Sequence, residues 1–224
     1  MKKLIPNILT ALNLVLGMLS IIATINGQLC LAAVYILAAL VADGLDGRVA
    51  RYLKVSSEFG KELDSLCDLV SFGAAPAILA YVFMLKDFGY LGVFAAVIFA
   101  ICGALRLARF NVNTSKVKGH FVGLPIPAGG CLVATFILSG IKPLGFLFPV
   151  MIIIFAYLMV SSVRYPDFKG EYGSISYAAI IITVCVSIYI LYLSVQAVGF
   201  VIFFGYALFG LLNTCFSFMK RGFS

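Results

Sequence analysis

The feature that most restricts the fold of this chain is a long uncharged segment near its start. Residues 4–42 contain no acidic or basic side chain and are mostly apolar. A helix needs about 20 apolar residues to cross a hydrocarbon core about 30 Å thick, so this segment is long enough for two spans. The polar residues 26–28, Asn-Gly-Gln, supply the turn between them. Because a cleaved signal peptide is much shorter, we treat the segment as part of the fold.

Further uncharged stretches repeat this pattern along the chain. They cover residues 69–85, 88–105, 119–141, 143–163 and 172–219. The last stretch is long enough for two spans with a break at residues 194–196, whereas the helix of the first should begin among the charged residues before it. Residues 52–62 alternate apolar and charged side chains and are typical of a short interfacial segment. The sequence therefore predicts an all-α membrane bundle of eight transmembrane helices, forming a single domain over residues 1–224.

The distribution of basic residues tests the number of spans. Eight spans place fourteen of the sixteen Lys and Arg side chains on one side of the membrane, leaving only Lys86 and Lys142 on the other. Cytoplasmic loops carry an excess of Lys and Arg, so both termini are expected to be cytoplasmic, in a multi-pass protein of the cell membrane. A model with seven or nine spans would separate the two basic termini.

Composition excludes several other classes of protein. Hydrophobic residues make up 63% of the chain and charged residues 11%, whereas a soluble domain is about one quarter charged. The net charge of +7 is explained by loops that face anionic lipid, and we expect no nucleic-acid partner. The six cysteines stand singly, without a Cys-x2-Cys pair, so disulfides and zinc are not expected.

Four acidic residues lie where charges are costly, at the end of the second span and the start of the third. Asp43 and Asp46 are three residues apart, and Asp64 and Asp68 are four apart. Each spacing puts its two carboxylates on one helix face. Ionisable residues inside spans are candidates for a functional site by default. Because consecutive spans adjoin, the sequence predicts that the two pairs face each other.

Four converging carboxylates would repel one another unless they were protonated or neutralised by cations. Oxygen ligands suit Mg²⁺ or Mn²⁺, with Ca²⁺ as a further candidate, and do not suit zinc. Two such ions would form a clamp for phosphate oxygens during an in-line displacement. A divalent-cation transporter is the competing interpretation, although the acids are confined to one membrane face and no acidic path crosses the other spans.

These residues also spell a longer pattern with fixed spacing, Asp43-x2-Asp46-Gly47-x2-Ala50-Arg51-x8-Gly60-x3-Asp64-x3-Asp68. The pattern resembles the complete signature of the CDP-alcohol phosphatidyltransferases. The resemblance implies that a CDP-linked diradylglycerol lipid donates its phosphatidyl group to an alcohol and that CMP is released. It also implies that the four aspartates ligate two divalent cations at the cytoplasmic face, and that Asp68 doubles as the general base.

The same resemblance implies which residues contact the donor and the acceptor. The donor side is expected to comprise Asn7, Thr10, Asn13, Gly47, Ala50, Arg51 and Gly60. Residues 105–111 and 123–128 look like the corresponding segments of the branch that uses L-serine as acceptor. Glycerol 3-phosphate or an inositol phosphate stays open as the acceptor. Residues 172–219 carry no recognisable chemistry and are expected to complete the bundle or a homodimer interface among membrane lipids.

Arg106, Arg109 and Asn111 are the candidates for binding the acceptor or the phosphates. The two arginines lie one helical turn apart at the predicted cytoplasmic end of the fourth span. They either anchor this helix at the interface or bind the donor phosphates or the acceptor carboxylate, since guanidinium suits both. Tyr165 and Lys169 are further candidates for contacts with the headgroup.

Overall fold

A computed structural model describes residues 4–55, 57–113, 120–141, 143, 145–166 and 177–222. Within these residues the chain forms eight helical segments. They are α1 (Leu4–Ile25), α2 (Leu29–Tyr52), α3 (Glu58–Phe83), α4 (Gly89–Asn113), α5 (Ile126–Leu138), α6 (Leu147–Val160), α7 (Tyr177–Leu193) and α8 (Val198–Gly222). The predicted all-α bundle and the turns at residues 26–28 and 194–196 are confirmed.

Five of these helices are long and apolar enough to cross a membrane by length and composition. They are α1, α2, α3, α4 together with the 3-10 turn before it, and α8. The other three described helices are apolar but shorter. The fold is therefore that of an integral membrane protein. Six residues in the charge count, Lys2, Lys3, Lys116, Lys118, Lys142 and Lys169, lie outside the described residues.

Helix α5 occupies the centre of the bundle and is shorter than the span predicted over residues 119–141. Eleven of its thirteen residues are buried, so protein rather than lipid surrounds it. Pro125 precedes the helix and Pro127 lies in its first turn, where a missing N–H costs no helical hydrogen bond. The prolines therefore mark the start of the helix. Gly140, with φ of +66°, follows its end.

Helix α3 begins at Glu58, as expected for a span that starts among charged residues. Ser57 caps it by accepting a hydrogen bond from the backbone N–H of Gly60 at 3.0 Å. The predicted interfacial stretch of residues 52–62 is not a separate helix, because it is divided between the end of α2, a turn and the start of α3. This short connection holds the acidic parts of α2 and α3 side by side.

The middle of α3 contains a π-helical segment, Leu69–Ala74, directly after Asp68. Its neighbours approach it closely. A Cβ atom on Gly17 of α1 would collide with Ser71, and one on Gly130 of α5 would lie 2.9 Å from the Phe72 backbone. These two contacts fix the position of α3 between α1 and α5.

A two-stranded antiparallel ladder joins the connections before α5 and after α6. Strand β1 (His120–Val122) pairs with strand β2 (Arg164–Pro166). Gly123, with φ of +80°, donates its N–H to the carbonyl of Val163 at 2.8 Å. The ladder therefore ties the start of the central helix to the end of α6.

Candidate active site

Three of the four predicted aspartates meet between α2 and α3. One carboxylate oxygen from each of Asp43, Asp64 and Asp68 lies within 4.8 Å of the other two. Asp68 is 7% exposed, and Asp43 and Asp64 are half-buried. Asp46 lies beside this group, 6% exposed, and its Oδ2 accepts a hydrogen bond from the Thr10 hydroxyl at 2.6 Å. The acidic residues that the spacing predicted to face each other therefore do lie together, and Asp46 is held by its hydrogen bond to Thr10 of α1.

The donor set is suited to a hard divalent cation. All three converging ligands are carboxylate oxygens, which are the ligands that Mg²⁺, Mn²⁺ and Ca²⁺ prefer. Oδ1 of Asp64 is buried and has no hydrogen-bond partner. A buried polar atom without a partner is unusual in a folded protein, and a bound cation would satisfy it. Asp43, Asp64 and Asp68 could therefore hold a metal ion.

Helix α1 supplies two polar residues that hold the acids. Thr10 binds Asp46, and one turn further along Asn13 donates Nδ2–H to Oδ1 of Asp68 at 3.0 Å. The Ser71 hydroxyl, in the π segment, donates to the backbone carbonyl of Asn13 at 2.9 Å. Sequence reasoning missed Ser71 because the π segment looks like ordinary apolar helix.

A cavity of about 210 Å³ opens beside Asp46 and Asp64. It is lined by Pro6, Asn7, Thr10, Asp46, Gly47, Ala50, Val55, Ser57, Gly60, Lys61 and Asp64. The structure thus gathers five of the seven residues expected on the donor side around one cavity. Val55, Ser57 and Lys61 were missed, since they fall in or beside the unspecified part of the motif.

The two remaining donor candidates lie outside that lining. Arg51 lies beside Gly47 of the lining, because a Cβ atom on Gly47 would be 3.6 Å from the Arg51 guanidinium. At Gly60 a Cβ atom would lie 3.2 Å from Oδ1 of Asn7 and 3.0 Å from the Ser57 hydroxyl. Glycine therefore leaves room at this wall of the cavity. Asn13 instead contacts Asp68.

The structure brings Arg106 toward the acids. Its side chain is 7% exposed, and its charge is close enough to Asp68 for the two to interact. The guanidinium carbon lies 5.3 Å from the centre of the Phe110 ring, and Nε is buried without a hydrogen-bond partner. A buried guanidinium with a free donor can bind an anionic substrate group, whereas a snorkelling arginine would reach water.

Arg109 and Asn111 point to other partners. The Arg109 guanidinium donates to the carbonyls of Val160 at 2.9 Å, Val122 at 2.8 Å and Ser161 at 3.1 Å, with a longer contact of 3.4 Å to Met159. Nδ2 of Asn111 donates to the Ser65 hydroxyl at 3.0 Å and approaches Glu62 at 3.4 Å. This geometry favours a bracing role for both over the predicted contacts with substrate.

Tyr165 lies in strand β2 and is fully buried. Its ring packs against that of Tyr206 at 5.3 Å between centres, and its hydroxyl has no hydrogen-bond partner. Burial raises the pKa of this phenol above its usual value, so it stays neutral. Lys169, the other candidate for a contact with the headgroup, lies outside the described residues.

Comparison with known proteins settles the family. Residues 3–189 match the sequence profile described as CDP-alcohol phosphatidyltransferase. The chain belongs to this family. Three similar relatives give finer information. A CDP-diacylglycerol–serine O-phosphatidyltransferase from Helicobacter pylori is 42% identical over 173 residues, covering 74% of this chain and 73% of the relative.

Two further relatives of this phosphatidyltransferase come from other organisms. A protein with the same description from Bacillus subtilis is 39% identical over 171 residues, covering 74% of this chain and 91% of the relative. An archaetidylserine synthase from Methanothermobacter thermautotrophicus is 41% identical over 169 residues, covering 74% and 71% of the two chains. The similarity thus includes relatives named for CDP-diacylglycerol and for archaetidylserine.

The bracing role of Arg109 in the phosphatidyltransferase fold can be tested by Arg109→Met. We expect the free energy of unfolding to fall by at least about 2 kcal/mol, because buried carbonyls would lose charged donors. Thermal unfolding in detergent measures the change, with the exposed Arg48→Met as the matched control. An unchanged melting temperature together with a raised KM for CDP-lipid would instead assign Arg109 to substrate binding.

Proposed function

We propose that the protein transfers the phosphatidyl group of a CDP-diradylglycerol lipid to L-serine, giving phosphatidylserine, or its ether analogue archaetidylserine, and CMP. The observation that carries this proposal is the cluster of Asp43, Asp64 and Asp68. It adjoins a cavity lined by five residues of the donor pattern, within a helical membrane bundle. The names of the three relatives support serine as the acceptor.

The residues of the site divide the work between donor and acceptor. The cavity between α1, α2 and the start of α3 receives the CMP part of the donor, while the lipid chains leave sideways between helices. Asp43, Asp46, Asp64 and Asp68 would hold two divalent cations, Mg²⁺ or Mn²⁺, with Ca²⁺ as a further candidate. Such ions, when bound, neutralise phosphate charge.

Asp68 removes the proton from the serine hydroxyl as the oxygen attacks the phosphorus that bears the diradylglycerol. A P–O bond forms to serine and the P–O bond to CMP breaks, with Asp68 keeping the proton. Arg106 binds the serine carboxylate, and Arg51, beside the cavity, faces the departing CMP. A well-placed general base contributes about 10²–10⁴-fold to such a step.

Two features argue against the competing functions. A phosphorylated acceptor requires several cations, but of the two arginines on α4 only Arg106 is directed toward the acids, while Arg109 holds backbone carbonyls. A cation transporter requires a polar path across the membrane. Helices α5, α6, α7 and α8 contain no Asp or Glu. Both observations favour lipid chemistry with a small zwitterionic acceptor.

A direct assay tests this function. The purified chain, in detergent with CDP-diacylglycerol and Mg²⁺ or Mn²⁺, should convert radiolabelled L-serine into chloroform-soluble product and release one CMP per product. Parallel reactions contain glycerol 3-phosphate or an inositol phosphate. A higher kcat/KM for either of these than for L-serine would show that it, and not serine, is the acceptor. Metal uptake into proteoliposomes without CMP release would favour the transporter.

We also propose that the chain forms one domain over residues 1–224 in the cell membrane and acts as a homodimer among membrane lipids. The cytoplasmic placement of the site and both termini is supported by the distribution of basic residues. Exposed apolar side chains on α7, such as Ile181 and Ile188, offer a surface for lipid or a second copy.

The orientation predicts opposite labelling of two exposed positions. Asn26→Cys, between α1 and α2, should react with a membrane-impermeant maleimide on intact cells. Glu58→Cys, before the acidic part of α3, should react only after permeabilisation. The exposed Cys30, Cys185 and Cys215 are first replaced by serine to remove background. Labelling of both positions from the same side would contradict the topology.

A further inference from the structure

Asn13 occupies a position that the donor pattern does not explain. It is fully buried on α1, one turn beyond Thr10. Thr10 lines the cavity beside Asp46, whereas Asn13 is not among the residues that line it and contacts Asp68 instead. The two polar residues of α1 therefore serve different parts of the site.

The carboxamide of Asn13 has a determined orientation. Nδ2 lies 3.0 Å from Oδ1 of Asp68. An ionised carboxylate only accepts hydrogen bonds, so the NH₂ group of the amide must face Asp68 and the carbonyl oxygen must face away from it. The Ser71 hydroxyl holds the backbone of the same residue at 2.9 Å, so the side chain starts from a fixed point.

The carbonyl oxygen of this amide is an unused acceptor. Oδ1 of Asn13 is buried and has no hydrogen-bond partner. Arg106, whose charge interacts with that of the same Asp68, has a buried Nε donor without a partner. Buried polar atoms are almost always paired in folded proteins, so an unpaired acceptor and an unpaired donor, on two residues that both interact with Asp68, indicate a ligand that supplies both partners.

We infer that Asn13 belongs to the acceptor site, where Oδ1 accepts a hydrogen bond from the ammonium group of an α-amino acid. This inference rests on the proposed function and names the group that selects serine. Arg106 then pairs with the carboxylate, Asp68 with the hydroxyl and Asn13 with the ammonium. Three chemically different groups thus match the three polar groups of serine.

The test compares two acceptors on the same preparation of enzyme. 3-Hydroxypropanoate has the hydroxyl and carboxylate of serine but lacks its ammonium. The wild-type protein should prefer L-serine, because a buried acceptor is left unpaired by the analogue. In Asn13→Ala and Asn13→Ser, the ratio of kcat/KM for L-serine over 3-hydroxypropanoate should fall about 10- to 100-fold.

The ratio is independent of how much protein folds, because both acceptors are measured on one sample. A weaker hold on Asp68 also lowers both rates together and cancels. The same preference can be measured without turnover from competitive inhibition by L-alanine and propanoate, which differ only in the ammonium. Thr10→Val, on the donor side of the same helix, is the matched control and should leave the ratio unchanged.

Three outcomes distinguish a failure of the proposed function from a failure of the inference about Asn13. If the wild-type protein does not use serine, the proposed function fails and the inference fails with it. If serine is used but both acceptors lose rate equally in Asn13→Ala, Asn13 only positions Asp68 and the inference is overturned. If the ratio is unchanged and the KM for CDP-lipid rises, Asn13 is a donor-binding residue, which also overturns it.

Discussion

Asp68→Asn should lower turnover by about 10²–10⁴-fold while CDP-lipid binding stays measurable. The amide is nearly isosteric with the carboxylate and still offers one oxygen as a ligand, so the donor site should weaken without being lost. It cannot take the proton of the serine hydroxyl at neutral pH. Asp68 is also the acid that interacts with both Asn13 and Arg106, the two residues placed on the acceptor side.

Asp46→Asn is the matched control for this prediction. Asp46 is buried to the same degree as Asp68, 6% against 7% exposed, but its carboxylate is held by Thr10 beside the donor cavity. Its substitution should raise the KM for CDP-lipid more than it lowers kcat. Single-turnover rates and CDP-lipid titrations separate the two effects. If Asp68→Asn keeps near-normal turnover but loses donor affinity, Asp68 is a ligand only and the base lies elsewhere.

Local spacing was sufficient to predict the acidic cluster. The separations of three and four residues put Asp43, Asp46, Asp64 and Asp68 on two helix faces, and the short connection between spans brings these faces together. The described residues likewise form the eight predicted helices, five of them long and apolar enough to cross a membrane. The length of an apolar run and the polar breaks between runs are properties of the sequence itself.

Contacts between distant segments could not be predicted in the same way. The π segment after Asp68 depends on the close approach of Gly17 and Gly130 from other helices, which no periodicity encodes. Arg106 and Arg109 are equivalent in sequence, one turn apart. Only the tertiary fold separates them, since Arg109 donates to carbonyls at the end of α6 whereas the charge of Arg106 interacts with that of Asp68.

The surroundings of α5 and the placement of Asn13 also depend on contacts between distant segments. A run of apolar residues predicts a span whether lipid or protein surrounds it, and in α5 protein surrounds eleven of the thirteen residues. Asn13 shares the N-terminal segment with Asn7 and Thr10, and the sequence assigned all three to the donor. In the structure Thr10 contacts Asp46 and Asn13 contacts Asp68, and this difference depends on the assembled fold.

Removal of divalent metal should abolish turnover, by about 10³-fold or more, since a bound cation stabilises transition-state charge by several kcal/mol. The carboxylates of Asp43, Asp64 and Asp68 converge within 4.8 Å, and Oδ1 of Asp64 has no other partner. Chelation by EDTA followed by Mg²⁺ or Mn²⁺ should restore the rate, whereas Zn²⁺, which favours nitrogen and sulfur ligands, should not.

Metal content provides a readout that does not depend on activity. Mn²⁺-soaked crystals should give anomalous density between α2 and α3, and plasma mass spectrometry should count two Mn²⁺ per chain. Asp64→Ala should reduce both signals and turnover together. Asp87→Ala, which removes an exposed acid before α4, should leave them unchanged. Density elsewhere would contradict the assignment. Full turnover in metal-free protein would also contradict it, because the converging carboxylates would then have to be neutralised by protons and could not include an ionised base.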